Sequence, residues 1–306
     1  DLNKRVSKVF SGKVSDIVNS FVTDKAHGLE SPKNLYIEPT SNNIKYISNY
    51  WSPVKNIEHL TIQAANQNKI PNYVFFENRD GFYFISMETL YKNGEYQEFV
   101  YDKYTRDIQK SRGASTRNIN EDYKRIMNLS IPTGFDYIDR IRSGAFSSKL
   151  VTWDITRKLY NSKMYTMFDR FGKQEHLNKY ALASNRAIFK SNSALINLPR
   201  QSQVFGGFGD PSNYKTLQER LSLMKLTEGN KIQITVPGRT DYTVGQKVKV
   251  KLNKIEPVSD KDTDTEDKMF SGFYIIAAVN HYINREMHEC HMELIKDSLI
   301  LNLDGK

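Results

Sequence analysis

Lys231-Ile-Gln-Ile-Thr-Val236, the dipeptide Pro237-Gly238 and Gln246-Lys-Val-Lys-Val-Lys-Leu252 are the stretches on which the fold turns. Apolar and polar residues alternate strictly in both runs, the period-two pattern of a strand with one buried and one wet face. Pro237-Gly238 reads as a turn between them. Further on, Gly272 to Tyr282 and Met287 to Ile295 form a last hairpin about Asn284-Arg285-Glu286. Just upstream, Tyr214 to Leu226 is helical, with Leu217, Leu221 and Met224 as one stripe, Ser212 or Asn213 to cap it and Gly229 to end it. Strands around one helix with a returning hairpin describe a small antiparallel barrel or sandwich.

The first half carries a second β signal, Tyr73-Val-Phe-Phe-Glu-Asn-Arg-Asp-Gly-Phe-Tyr-Phe-Ile-Ser86. Two aromatic runs flank Asn78-Arg79-Asp80-Gly81, whose Asp-Gly accepts the positive φ of a tight hairpin. Its aromatic density is read as core rather than as a base-stacking platform, because no RNA-recognition consensus accompanies it. The apolar spacing over Ser7 to Asp24 predicts an amphipathic helix that Ser15-Asp16 can start and Gly28 can end, and Pro53 to Asn68 predicts another with Ser52 as N-cap. Leu35-Tyr36-Ile37 and Ile44-Lys45-Tyr46-Ile47 read as short extended pieces. Residues 86–125 are polar and aperiodic, a linker; Asn128 to Arg140 and Ser147 to Leu159 suit strands; 160–211 is irregular.

The 306 residues exceed one ordinary domain, and 39% hydrophobic with 12% aromatic content excludes a disordered or collagenous chain. No run of about 18 apolar residues is present, so no transmembrane helix is expected. Asp1 is not Met, and the chain is expected to lack an N-terminal portion. Cys290 is the single cysteine and cannot close an intramolecular disulfide, which points to assembly in a reducing cytoplasm. The net charge of +9 makes nucleic acid a legitimate partner class, but the lysines are scattered along the chain.

Motifs of chemistry are sparse. The carboxylates at 260, 262, 264, 266 and 267 resemble a calcium loop only superficially, since Thr265 and Ser271 stand where an EF-hand needs Gly and Glu. His281, His288, Cys290 and His291 are zinc-type ligands, but along a strand His288 and Cys290 share a face while His291 points away. A closed site would need His281 from across the hairpin and another ligand, and packed or hydrogen-bonded histidines are the preferred reading. Gly206-Gly207-Phe208-Gly209 lacks the Gly-Lys-Ser/Thr of a phosphate loop, and Ser52-Pro-Val-Lys55 matches S-x-x-K without its companion motifs. No catalytic, cofactor-binding or metal residue is assigned, no cofactor is expected, and the chain is read as a non-enzyme.

Ile232-Gln-Ile-Thr-Val-Pro-Gly-Arg-Thr-Asp-Tyr-Thr-Val-Gly-Gln-Lys-Val-Lys-Val250, Ser271-Gly-Phe-Tyr-Ile-Ile-Ala-Ala-Val-Asn-His281 and His291-Met-Glu-Leu-Ile-Lys-Asp-Ser298 resemble the C-terminal part of baseplate hub proteins of T4-type contractile-tailed bacteriophages. Related patterns occur in late-control D proteins and type VI secretion spike proteins. Arg220 to Lys225, Ile57 to Leu90 and Gly144 to Asp154 are similar to the same family. The resemblance implies a structural subunit of a homotrimeric ring that joins the sixfold tail tube to the threefold spike and surrounds the DNA channel. Implied partners are the central spike or tail lysozyme protein, tail tube initiator proteins, baseplate wedge proteins, and genomic DNA that passes without specific binding. Implied location is the virion baseplate, after assembly in the host cytoplasm. The expected fold class is α+β, mainly antiparallel β. Residues 1–95 would form a helix-plus-hairpin domain and 96–125 a linker. Residues 126–165 and 212–300 would form a split tube-like β-barrel, interrupted by an insert at 166–211; the family's other barrel would precede residue 1. Lys247, Lys249 and Lys251 are expected to face outward or other subunits, because a basic lining would retard DNA. The alternatives are a basic nucleic-acid-binding protein and a tail-associated cell-wall hydrolase.

Overall fold

The computed structural model describes residues 4–101, 123–132, 137–184, 194–200, 214–254 and 266–304. The chain is α+β and mostly strand, as expected. In order come β1 (Val9–Lys13), helix α1 (Val14–Thr23), β2 (Asn34–Ile37), β3 (Asn43–Ile47), helix α2 (Pro53–Gln63), β4 (Tyr73–Glu77) and β5 (Gly81–Ser86). Next are β6 (Gln97–Tyr101), β7 (Asn128–Ser130), β8 (Ser147–Asp154), β9 (Leu159–Thr166), β10 (Tyr180–Ala181) and β11 (Ala194–Arg200). The last are β12 (Lys231–Pro237), β13 (Lys247–Leu252), β14 (Gly272–Ile283), β15 (His288–Ile295) and β16 (Ser298–Leu299). Short helices lie at Met87–Lys92, Tyr137–Ser143 and Met167–Phe171, and a longer one at Leu217–Glu228. Two compact units result: Asp1–Thr89 with Tyr137–Gln174 and Asn185–Lys225, and Leu90–Asp136 with Glu175–Ser184 and Leu226–Lys306.

In the first unit, α1 buries Val14, Ile17, Val18, Phe21 and Val22 against Phe10, Tyr46, Ile57, Leu60, Tyr73 and Phe84. The helix starts at Val14, beside the expected Ser15-Asp16 start; upstream of it Gly12 takes φ +142° and Val9–Lys13 pair antiparallel with β3. Ser52 caps α2 through Lys55 N–H, with Pro53 at the first turn, as the sequence predicts; α2 ends at Gln63, where Ala64 turns extended. The aromatic hairpin is present: β4 and β5 pair antiparallel, and β2 adds in parallel to β5. A Cβ at Gly81 would overlap the Asn34 carbonyl of β2, so the residue that makes the turn also admits the third strand. Tyr73 and Phe84 lie in the core, whereas Tyr36, Tyr83 and Phe76 stack on the other face with centroids 4.6 and 5.1 Å apart.

The helix Leu217–Glu228 departs from its expected stripe. Leu217, Leu221 and Met224 are half-buried, while Gln218, Glu219, Arg220 and Ser222 are buried. Their partners lie in the first unit: Arg220 donates to Pro71 O (2.9 Å), Tyr73 O (3.0 Å) and Thr61 Oγ1 (3.3 Å), and Gln218 to Ser148 O (2.9 Å) and Lys163 O (3.1 Å). Buried strand and loop carbonyls need donors here, and polar side chains supply them.

The second unit holds a curled, half-barrel sheet in the order β6-β13-β14-β15-β12-β7, antiparallel except where β6 runs parallel to β13. Ile232, Ile234 and Val236 of β12, Val248, Val250 and Leu252 of β13, and Met292 and Leu294 of β15 fill its concave core around Tyr274. The Lys/Val alternation is thus obeyed residue by residue. Four expectations change. Of the described residues between Asn128 and Arg140, Asn128–Ser130 are strand, since Pro132 cannot continue a ladder, and Tyr137–Ser143 is helix. Ser147 to Leu159 is two strands, because Arg157 N–H is captured by Asp154 Oδ1 and Lys158 takes φ +56°, closing a β8–β9 hairpin. That hairpin pairs with β11 in the first unit and not with the half-barrel. Of the expected linker, Gln97–Tyr101 is an edge strand, and the expected insert divides between the two units. Residues 102–122, 201–213 and the tract at 255–265 lie outside the described residues.

Candidate functional site

In the first unit, the β11-β8-β9 sheet presents an unusual face. Directly paired residues project to the same side of a sheet. The register therefore aligns Leu195, Lys149 and Met164 in one row, Asn197, Val151 and Ser162 in the next, and Pro199, Trp153 and Tyr160 in the third. Leu195 is 62% exposed, Met164 55%, Tyr160 69% and Trp153 39%. Ile155 and Leu159 at the hairpin end are exposed as well. Exposed apolar side chains thus share this side of the sheet with Lys149, Asn197 and Ser162, and exposed apolar surface is a common feature of interaction sites. Both outer strands are also edges among the described residues, and β9 is wet along most of its length, so its unpaired N–H and C=O groups are open to pairing.

The lysine face of β13 in the second unit is electrostatically answered. Glu98 of β6 lies 3.8 Å from Lys249 and 2.6 Å from Lys251, and its carboxyl is held below the usual carboxylate range chiefly by the Lys251 hydrogen bond. Lys247 donates to Tyr91 O (2.7 Å) and sits 4.7 Å over the Phe273 ring; burial lowers its pKa. All three point away from the core, but β6 already shares the face with them.

The residues singled out for chemistry are placed as follows. Ser52 is a helix cap, and the Lys55 ammonium lies 4.8 Å over Trp51. Asp267 Oδ1 accepts N–H bonds from Met269 and Phe270 and closes a turn. His291 points away from the core side of β15 and meets Thr235 Oγ1 at 3.0 Å. His281, His288 and Cys290 come together. Cys290 pairs across the hairpin with His281, and His288 lies on the same strand face two residues earlier. Cys290 Sγ is 3.1 Å from His281 Nδ1 and 3.8 Å from His288 Nε2, and the two nitrogens are 3.3 Å apart. Cys290 is fully buried, which pushes its thiol pKa up, while both imidazoles are half-buried.

No family model matches the sequence, and no curated protein matches it. Among solved structures, the tail protein from Neisseria meningitidis MC58 aligns over 97% of this chain and 71% of its own, with a TM-score of 0.50 and 12% identity. The two share a fold. The 43 kDa tail protein of prophage MuSo2 from Shewanella oneidensis aligns over 95% of this chain and 67% of its own, with a TM-score of 0.45 and 10% identity.

Within the shared fold, sequence reading located most strands of the half-barrel but missed the outward apolar residues of the β11-β8-β9 sheet and the buried tie of β10. The apolar face depends on the β8–β11 pairing, which is parallel and joins segments some forty residues apart. The nearest signal was the pair of apolar residues Trp153 and Ile155 beside a turn. The buried contact of His176 Nδ1 with Asp297 Oδ2 at 2.7 Å, which ties β10 to the end of the chain along with Asn178, had no local signal at all.

Proposed function

We propose that this chain is a structural, non-enzymatic subunit of a contractile phage tail. It acts as the baseplate hub, a homotrimeric ring that joins the tail tube to the central spike around the DNA channel. The observation that carries the reading is the tail-protein fold over 97% of the chain. The uncovered apolar face of the β8-β9-β11 sheet supports it, because a ring subunit must bury such a face against its neighbours. The partially neutralised lysines of β13 also fit a protein that tolerates DNA without gripping it. Spike, tube-initiator and wedge proteins are then the partners, and the virion baseplate the location. Size-exclusion chromatography with light scattering tests this: a mass of three chains, alone or on mixing with the spike protein, is expected. A monomer in both conditions, or salt-sensitive binding to oligonucleotides, overturns it.

A further inference from the structure

We propose that His281, His288 and Cys290 form a zinc-binding site at the turn end of the β14–β15 hairpin. Zinc bonds of about 2.0–2.1 Å to imidazole nitrogen and about 2.3 Å to sulfur, set at tetrahedral angles, require N···N separations of about 3.4 Å and N···S of about 3.6 Å. The triangle here has edges of 3.3, 3.1 and 3.8 Å, so one ion reaches all three atoms with small side-chain adjustments. The tautomer of His281 is set for ligation: Tyr242 O can only accept, so the 3.3 Å contact requires His281 Nε2 to carry the proton and leaves Nδ1 as a lone pair facing the cluster. That lone pair has two neighbours and can accept one good hydrogen bond, and the 3.8 Å pair of Cys290 and His288 is long for any; a cation satisfies all three atoms at once.

The backbone makes room for this arrangement. Gly238 N–H donates to His288 O at 2.7 Å, and a Cβ at Gly238 would overlap the His288 ring. The turn glycine between β12 and β13 thus seats a ligand. Cys290 Sγ is also 3.8 Å from Arg239 O, so the same turn closes the buried side of the site, while the half-buried imidazoles leave a fourth position to water. Binding releases the Cys290 thiol proton and forms the Zn–S bond. The ion would staple β14 to β15.

Cobalt tests this without a variant. The purified chain, stripped with chelator under reducing conditions and titrated with Co²⁺, is expected to take one ion. A near-ultraviolet sulfur-to-cobalt band and the visible bands of tetrahedral cobalt should appear, and equimolar Zn²⁺ should abolish both. His288→Ala is expected to weaken Zn²⁺ binding by at least about tenfold, since losing even an outer partner of a ligand costs that much. Absence of the sulfur-to-cobalt band in the unaltered chain, or unchanged affinity in His288→Ala, overturns the proposal.

Discussion

The two main sheets of this protein treat apolar residues in opposite ways. In the half-barrel sheet every apolar position of β12 and β13 points inward and is buried, and the wet face carries lysine, glutamine and threonine. In the β11-β8-β9 sheet Leu195, Trp153, Tyr160 and Met164 stand outward. The half-barrel buries its apolar residues in its own core, whereas the smaller sheet leaves apolar side chains exposed among the described residues. On the proposed function, stability and assembly are encoded in different strands.

Three variants would break or sharpen that contrast. Leu294→Ala, in the centre of the half-barrel core, is expected to cost about 2–5 kcal/mol in denaturant unfolding, through lost burial and the cavity left behind. Arg220→Met leaves the carbonyls of Pro71 and Tyr73 without their donor and is expected to cost about 1–3 kcal/mol. Burial lowers the pKa of that guanidinium to about 10, so it is still charged at neutral pH and the loss should be flat between pH 6 and 8. Trp153→Ser combined with Tyr160→Ser should shift unfolding by no more than about 0.5 kcal/mol, because both rings are exposed, yet, on the proposed ring assembly, remove the three-chain mass expected in light scattering. A loss comparable to that of Leu294→Ala would mean that the outward face supports the fold itself, and the contrast would fail.

Much of the architecture was legible because local rules sufficed. Ser52-Pro53 announces a helix start, Asp80-Gly81 a hairpin, and the Val-Lys alternation of β13 a half-buried strand, and each appears at its place. The helix Leu217–Glu228 was found but turned the wrong way, since its Leu217, Leu221, Met224 stripe was read without the carbonyls that draw Gln218 and Arg220 inward. The edge strand Gln97–Tyr101 was hidden in a polar stretch, because Glu98 is explained only by Lys249 and Lys251, some 150 residues away.

By itself the sequence determined the kind of each strongly periodic segment and the inward face of β12, β13 and β15, because side-chain period and burial are local properties of a strand. Only the tertiary structure decided which strands are neighbours, and with that which apolar face stays open. It alone also set His281 against Cys290 and His288 against Gly238, since register and parallel pairing depend on contacts between residues that are remote along the chain.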